Sequence, residues 1–440
     1  MLSMTPEKMR ELAHQVTEIL VDRIEHLSEG HVWEGDFKDA LADQLNEEPP
    51  ETGRPAREVV ERAVRDVLTN SLRLDHPRSF GFVPNSPTWP GVLADFLASG
   101  FNINLASWLT ASGPSQLEAV VVGWFRQWFG LPDSAGGLMT SGGSSAACHA
   151  FVAAREVAGN PDRPVAYMSD QSHSAQVRAA RIVGISSDRI RVLPSDTSGR
   201  IDPGAVAQAI AADRSAGCAP VVVCANAGTP TRGAVDPLSD LADICAAERV
   251  WYHIDAAYGG FAILTQRGAA ALEGIGRADS IGVDPHKWLF QPYEAGCILV
   301  RDGGTLERAF AVKHDVLQDS VWGARHANYS DQGIQLTRGF RALKIWMSIQ
   351  TFGMAAFRAA VENGLDLADR AAEYITSSRT LELILASLSI VCFRINPGGL
   401  NEDALAKLNR QVLAHVFWGE TAFLTSTIVN GRFVLRLCIV

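Results

Sequence analysis

The sequence predicts an α/β protein built on a mostly parallel sheet, because short β-branched runs alternate with helical stretches through the middle of the chain. Strands that are separated by helices pair in parallel, since each helix returns the chain to the same edge of the sheet. The length of 440 residues exceeds the ~250–300 residues at which a single core stops growing, so we expect more than one domain. The predicted strands are Pro164–Met168, Ile190–Leu193, Pro220–Ala225, Val250–Ile254, Ser280–Val283 and Gly296–Val300.

Two amphipathic helices are predicted ahead of this sheet. Thr5 is a suitable N-cap and Pro6 a suitable first helical residue, and apolar residues then recur at three- and four-residue steps. A second stretch with the same pattern runs from Pro55 to Leu74. Because an apolar stripe needs something to cover it, we interpret residues 1–79 as an N-terminal helical arm.

The helical and strand patterns that follow the predicted sheet indicate a small C-terminal α+β domain. We therefore divide the chain into the arm, a large domain over residues 80–336 and a small domain over residues 337–440. The predicted elements of the small domain are helices Thr337–Gln350 and Asn401–Val416 and strands Ser389–Ile395 and Arg432–Val440.

Composition limits the classes of partner. A formal net charge of −10 argues against nucleic acid and against an anionic membrane surface. The seven cysteines are scattered without a C-x-x-C pair, which predicts neither a metal site nor a redox motif. Charged residues interrupt every apolar run before the ~20 residues of a membrane span, and the first residues lack the zones of a signal peptide. We expect a soluble cytoplasmic protein that binds small molecules and copies of itself.

Two reactive residues, Asp255 and Lys287, each follow a predicted strand. Ligands of such sheets bind beyond the strand ends. Taken alone, Asp255 is more often a helix cap or half of an ion pair, and Lys287 is more often a solvated surface group. The flanking His286 and Trp288 favour a poorly solvated ammonium with a lowered pKa, as a Schiff-base lysine requires.

The segments His253-Ile-Asp255-Ala-Ala257 and Asp284-Pro-His286-Lys287 together resemble the cofactor motifs of pyridoxal-phosphate-dependent group II amino acid decarboxylases. The likeness is closest to the aromatic-L-amino-acid decarboxylases. It implies the fold of the aspartate-aminotransferase superfamily, with a seven-stranded sheet in the large domain. It also implies that Lys287 carries pyridoxal 5′-phosphate (PLP) as a Schiff base. Asp255 would then pair with the pyridine nitrogen, so that a cationic ring accepts the electrons left at Cα.

A Ser/Gly-rich turn from Thr140 to Ala147 precedes a helical run. The N-terminus of a helix favours anions, although such a turn alone is more often a plain cap. By the resemblance, Gly142, Gly143 and Ser144 cradle the phosphate. The resemblance also places Thr229, Ala257 and His286 against the cofactor.

His173 follows the predicted strand that ends at Met168. A lone histidine is more often a hydrogen-bonded structural residue. The resemblance instead implies that its imidazole stacks on the pyridine ring as a catalytic base.

A long polar loop over residues 314–335 is expected to be a lid. The resemblance places a catalytic tyrosine in it, ahead of a helix that begins Phe340-Arg-Ala-Leu-Lys-Ile-Trp346. That tyrosine is Tyr329, whose phenol would return a proton to Cα. The alternative is an exposed aromatic residue of a loop.

The function that follows is decarboxylation of an L-amino acid, with an aromatic substrate preferred, to the amine and CO₂. The predicted substrate contacts are Phe82, Asn85 and Ala106. Four alternatives stay open: an aldehyde synthase that couples decarboxylation to oxidative deamination, a transaminase, a decarboxylase of acidic or diamino substrates, and a non-catalytic scaffold. The resemblance and the apolar arm further predict a homodimer.

Overall fold

The computed structural model describes residues 2–312, 326, 328–419 and 421–440. Most of the expected lid, residues 314–325 and 327, lies outside the described residues. Within the described ranges, helices surround a seven-stranded sheet, and a separate four-stranded sheet follows near the C-terminus.

The larger sheet has the strand order β1-β7-β6-β5-β4-β2-β3. Only β7 runs against its neighbours, so the expectation of a mostly parallel sheet is confirmed. The strand that the sequence did not predict is β1, whose Gly-Gly-Leu-Met-Thr sequence has few β-branched residues. The strands are β1 Gly136–Thr140, β2 Pro164–Ser169, β3 Ile190–Leu193, β4 Ala219–Asn226, β5 Trp251–Asp255, β6 Ser280–Val283 and β7 Gly296–Val300.

Helices cover both faces of this sheet. Successive side chains of a strand point to opposite faces, and β4 shows the result. Val223 and Ala225 join an apolar cluster with α5, α8, α9 and α12, whereas Val222 and Cys224 join one with α6 and α7. With both faces buried, the strand ends are left for ligands. These helices are α5 Trp108–Trp128, α6 Gly143–Val157, α7 Ser174–Ile182, α8 Pro203–Ser215, α9 Leu238–Glu248, α10 Gln266–Ala271, α11 Gly304–Phe310 and α12 Ala342–Ser377.

The N-terminal segment contains four further helices. As predicted, Thr5 caps the first of them, and its hydroxyl accepts the Lys8 N–H at 3.4 Å. No residue of this helix is buried. The third helix continues as a π-helical turn only as far as Leu68, short of the predicted Leu74. The helices are α1 Pro6–Glu25, α2 Lys38–Leu45, α3 Ala56–Ala63 and α4 Trp89–Gly100.

The C-terminal sheet is antiparallel and has the order β10-β11-β9-β8. Arg436 of β11 ties it to the large sheet, because its buried guanidinium donates to the carbonyls of Pro230 and Phe82, each at 2.8 Å. The helix expected from Thr337 begins later, at Ala342, and continues past a break at Gly353. The elements are β8 Leu381–Ser387, β9 Ile390–Ile395, β10 Thr425–Val429, β11 Arg432–Cys438 and α13 Glu402–Trp418.

No helix among the described residues is both long enough and apolar enough to cross a lipid bilayer.

Candidate active site

The carboxyl ends of β1, β2, β4, β5 and β6 meet at one edge of the large sheet. The residues that follow them line a cavity of about 280 Å³, close to the lower end of the ~300–1,000 Å³ range of ligand pockets. Five turns that are far apart in the sequence therefore form one site. Its lining includes Ser141–Ser145, His173, Gly228, Asp255, Ala257, Asp284, His286 and Lys287.

Lys287 reaches into this cavity with its side chain 25% exposed, and its Nζ lies 3.0 Å from Oδ2 of Asp284. Burial lowers the pKa of the ammonium, but the negative charges of Asp284 and Asp255 more than offset it, so the pKa is raised. The expectation of a lowered pKa was therefore wrong. The pKa is raised because Asp284, three residues earlier, stabilises the protonated ammonium.

His286 lies near the same carboxylate oxygen of Asp284. Its Nδ1 accepts the Ala295 N–H at 3.0 Å, and its Nε2 lies 3.6 Å from Asp284 Oδ2. Burial is the main cause that lowers its pKa. A neutral imidazole therefore carries its proton on Nε2, on the side of Asp284.

Asp255 ends β5, and both of its carboxylate oxygens accept hydrogen bonds. Oδ1 accepts the Ala257 N–H at 3.1 Å, and Oδ2 accepts Nε2 of Gln176 at 2.7 Å. Two residues earlier on the strand, His253 is buried, and burial lowers its pKa to about 4. The site therefore presents a fixed carboxylate beside an uncharged imidazole.

The glycine turn forms the N-terminus of α6. The first hydrogen bond of this helix runs from Ala146 N–H to the Gly142 carbonyl at 3.0 Å, so the preceding N–H groups have no acceptor within the helix. A Cβ on Gly143 would lie 3.1 Å from the Ala257 Cβ and 3.2 Å from Asp284 Oδ2. Glycine thus lets the helix start approach the site closely, as an anion-binding helix end requires.

His173 is the N-cap of α7, and its Nδ1 accepts the Ala175 N–H at 3.1 Å. Its exposed ring lines the cavity. Thr229 is fully buried, and its hydroxyl accepts the Ala234 N–H at 3.1 Å. It lies behind Gly228 and Pro230, which line the cavity on either side of it in sequence.

The structure does not bring Tyr329 and Ala106 to this cavity. Tyr329 is buried, its hydroxyl donates to the Ser115 carbonyl at 3.5 Å, and the guanidinium of Arg338 lies 4.8 Å from its ring centre. Burial raises the pKa of this phenol. The Ala106 carbonyl accepts the Ser330 N–H at 2.9 Å, so Ala106 belongs to the same separate cluster. Because Tyr329 is buried, the alternative interpretation of an exposed loop residue is wrong.

Phe82 and Asn85 also lie outside the cavity lining. Phe82 is 60% exposed, and its ring centre is 5.7 Å from that of Phe423. Asn85 is buried and donates to the Gln291 carbonyl at 2.7 Å. It therefore braces the loop that follows Lys287.

The unpredicted polar side chains at or next to the site include Asp284, Tyr258 and Gln176. Asp284 is part of the sequence motif that contains Lys287, and its position three residues before the lysine could have predicted an ion pair between them. Tyr258 lines the cavity with its hydroxyl 2.6 Å from Ser389 Oγ. Gln176 carried no sequence signal, because only the folded chain brings its side chain within hydrogen-bond distance of Asp255.

The residues present fit PLP. A lysine amine, a fixed carboxylate, an exposed imidazole and an open helix N-terminus surround one cavity, and these groups suit an aldehyde, a ring nitrogen, a ring face and a phosphate. Among the described residues no group of three or more His, Cys, Asp or Glu side chains could hold a metal ion.

Comparisons with known proteins agree with this geometry. The chain is 39% identical to aromatic-L-amino-acid decarboxylase of Bacillus atrophaeus over 99% of this chain and 92% of that protein. It is 27% identical to phenylacetaldehyde synthase of Petunia hybrida over 99% of this chain and 90% of that protein. The crystal structure of Oryza sativa TDC with PLP and tryptamine superposes with a TM-score of 0.96 at 27% identity, covering 100% of this chain and 94% of the other.

The model of the pyridoxal-dependent decarboxylase conserved domain matches residues 39–396. This range contains the glycine turn, the strand-end aspartate and the lysine. The chain therefore belongs to the pyridoxal-dependent decarboxylase family, and its cofactor is PLP.

Proposed function

We propose that this protein decarboxylates an aromatic L-amino acid to the corresponding amine and CO₂. The observation that carries the proposal is the convergence of Lys287, Asp255, His173 and the glycine turn on one cavity. The aromatic substrate class is supported by the relative with 39% identity, which is an aromatic-L-amino-acid decarboxylase.

Bound PLP supplies an electron sink for the pair of electrons that remains when CO₂ leaves Cα. The role of this chain is to hold that group and set its charges. In our proposal, Lys287 holds the aldehyde carbon, Asp255 accepts a hydrogen bond from the ring nitrogen, and the start of α6 binds the phosphate. A carboxylate at the ring nitrogen keeps the ring cationic, which makes it the better acceptor of electrons.

The proton that returns to Cα needs a donor at the cavity. Of the phenols described, Tyr258 lines the cavity, but its hydroxyl is bonded to Ser389. Tyr329 faces Ser115 within the core. We therefore assign the proton transfer to His173, whose exposed ring takes up a proton from solvent and then donates one from Nε2 to Cα, which returns the imidazole to its neutral form.

The second candidate product is an aldehyde. It is favoured by the separation of Tyr329 from the cavity, and a relative with 27% identity is a phenylacetaldehyde synthase. Decarboxylation coupled to oxidative deamination consumes O₂ and water and yields aldehyde, CO₂, ammonia and hydrogen peroxide, whereas plain decarboxylation yields only the amine and CO₂.

One experiment tests the substrate and the product together. Purified protein with PLP is incubated with each standard and aromatic L-amino acid, with and without oxygen, and amine, aldehyde, peroxide and CO₂ are counted in the same reaction. We expect an aromatic substrate to give amine and CO₂ in equal amounts in both atmospheres. Turnover confined to acidic or diamino substrates would contradict the proposed substrate class. Formation of aldehyde only in the presence of oxygen would show that the product is the aldehyde and not the amine.

We further propose that the protein is a cytoplasmic homodimer whose interface contains the arm of residues 1–79 and helix α4, which lies beside α1. Apolar side chains on α1, α3 and α4 are exposed, and surfaces of this kind mark protein interfaces. The cysteines are all free thiols, which suits a reducing compartment. We also propose that the large domain begins at residue 80 and the small domain at residue 337. The exposed residues include Met9, Val16, Val59, Leu68, Phe96 and Phe101.

Light scattering tests the dimer. Phe96 is 65% exposed on α4, and Ile428 is 53% exposed on β10 of the C-terminal sheet. Phe96→Arg should weaken self-association, whereas Ile428→Arg should not. A wild-type monomer at micromolar concentration would contradict the proposal.

A further inference from the structure

Gln176 is a buried amide next to the carboxylate of the site. It lies on α7 with 1% of its surface exposed, and its Nε2 donates to Asp255 Oδ2 at 2.7 Å. An ionised carboxylate only accepts hydrogen bonds, so the NH₂ group and not the amide oxygen must face it. The amide oxygen is buried without a hydrogen-bond partner among the described residues. The hydrogen bond to Asp255 therefore accounts for the polarity of this buried side chain.

The two donors to Asp255 come from different elements. Ala257 N–H binds Oδ1 from the turn that follows β5, and Gln176 binds Oδ2 from α7. A carboxylate with only the first donor could rotate about its last bond. With the second donor, the plane of the carboxylate is fixed.

The same helix also presents His173. His173 caps α7, and Gln176 follows it by one helical turn, so the two side chains belong to one rigid segment. The bond between Gln176 and Asp255 thus ties the helix that carries the imidazole to the strand that carries the carboxylate.

We propose that Gln176 is a positioning residue for the cofactor ring, which orients Asp255 toward the ring nitrogen and fixes α7, with His173, against β5. The inference rests on the proposed function for the identity of the ring. The contact between Gln176 and Asp255 does not depend on it.

Other titratable groups face Asp255 and enter the design of the test. The Lys287 ammonium, on the loop after β6, interacts electrostatically with the Asp255 carboxylate. His253, on the same strand as Asp255, does so as well. The Cys224 thiol faces it from β4, and burial raises the pKa of that thiol well above its ordinary value. Lys287 and Cys224 keep one protonation state between pH 5 and pH 8, and His253, with a pKa of about 4, stays neutral there.

Two variants of Gln176 and one control separate positioning from packing. Gln176→Met keeps the length but removes the donor, and Gln176→Glu keeps the shape but replaces the donor with a carboxyl. The control is Val177→Ala, because Val177 is next on α7 and packs into the apolar cluster without contacting Asp255.

In the protein loaded with ring-¹⁵N PLP, the nitrogen chemical shift reports whether the ring is protonated. We expect Gln176→Met to move the shift toward the unprotonated ring and to lower kcat roughly ten- to a hundredfold, the factor that corresponds to one hydrogen bond to a charged group. KM should change little. Val177→Ala should lower the melting temperature without moving the shift. An unchanged shift and kcat in Gln176→Met would overturn the proposal.

The cofactor-free protein provides an independent test. In Gln176→Glu, the two carboxyls at hydrogen-bond distance raise each other's pKa above the ~4 of the unfolded chain. A raised folded-state pKa contributes stability that is lost as pH rises through it. The stability of Gln176→Glu relative to wild type should therefore fall between about pH 5 and about pH 8. A difference that stays constant with pH would overturn the contact itself, even if Gln176→Met failed to fold. Wild-type protein that does not bind PLP would instead refute the proposed function.

Discussion

The ion pair between Asp284 and Lys287 gives a prediction about how fast the cofactor is captured. A primary amine must lose its proton before it attacks an aldehyde, and Asp284 at 3.0 Å opposes that loss. We expect Asp284→Asn, which keeps the shape and removes the charge, to increase the rate of capture at neutral pH.

The magnitude follows from the distance. Two unit charges 4 Å apart attract by ~4 kcal/mol at an effective dielectric constant of ~20, and one pKa unit corresponds to ~1.4 kcal/mol. Because water reaches a quarter of the Lys287 side chain and Asp255 remains, we expect Asp284→Asn to remove only part of this attraction, roughly 1.4 to 2.8 kcal/mol, and so to lower the pKa of Lys287. A lower pKa leaves more neutral amine at a given pH. The capture rate at pH 7 should thus rise by roughly ten- to a hundredfold.

Stopped-flow absorbance measures this rate when cofactor-free protein is mixed with saturating cofactor over a range of pH. Asp284 also lies beside the glycine turn, 3.2 Å from a Cβ built on Gly143, so its charge could affect phosphate binding as well. Pyridoxal, which lacks the phosphate, isolates the effect on the amine. Asp240→Asn on α9 controls for the loss of one exposed negative charge.

The logarithm of the pyridoxal rate should rise with pH for both proteins, with the Asp284→Asn curve higher at neutral pH and the two curves meeting at alkaline pH. If the two curves superimpose throughout, the ion pair does not set the reactivity of Lys287. The raised pKa would then have no bearing on capture of the cofactor.

Three further predictions concern single residues. Borohydride should fix PLP covalently to the wild-type protein but not to Lys287→Ala. If mass spectrometry found the label on the variant, another lysine would be the one that holds the cofactor. Tyr329→Phe removes one hydroxyl whose partner is the Ser115 carbonyl, so we expect the protein to be about 1 kcal/mol less stable. The ratio of amine to aldehyde should not change. A shift of the product toward aldehyde would instead indicate that Tyr329 is the proton donor. His253 stays neutral down to a pKa of about 4, whereas in the unfolded chain it gains a proton near pH 6.5. Stability of the cofactor-free protein should therefore fall as pH drops from 6.5 toward 4, by up to about 3 kcal/mol more than in His253→Asn, and equal slopes in urea unfolding would contradict this.

Local chemistry accounts for what could be predicted. Six strands of the large sheet lie within two residues of the predicted ranges, because β-branched runs between helices constrain the backbone directly. The glycine turn, Asp255 and Lys287 met at one edge because parallel strands bring their carboxyl ends together. The unpredicted β1 depends instead on its pairing with β7, since its own residues favour a strand only weakly.

The sequence by itself determined the α/β class, the family and which turns carry the cofactor chemistry, because each depends on residues that are neighbours along the chain. The tertiary structure decided the surroundings of those residues. It placed Tyr329 in the core, joined Gln176 to Asp255, and left Lys287 with a raised rather than a lowered pKa. Burial, orientation and charge balance at a site are sums over residues from distant segments, and those sums exist only once the chain is packed.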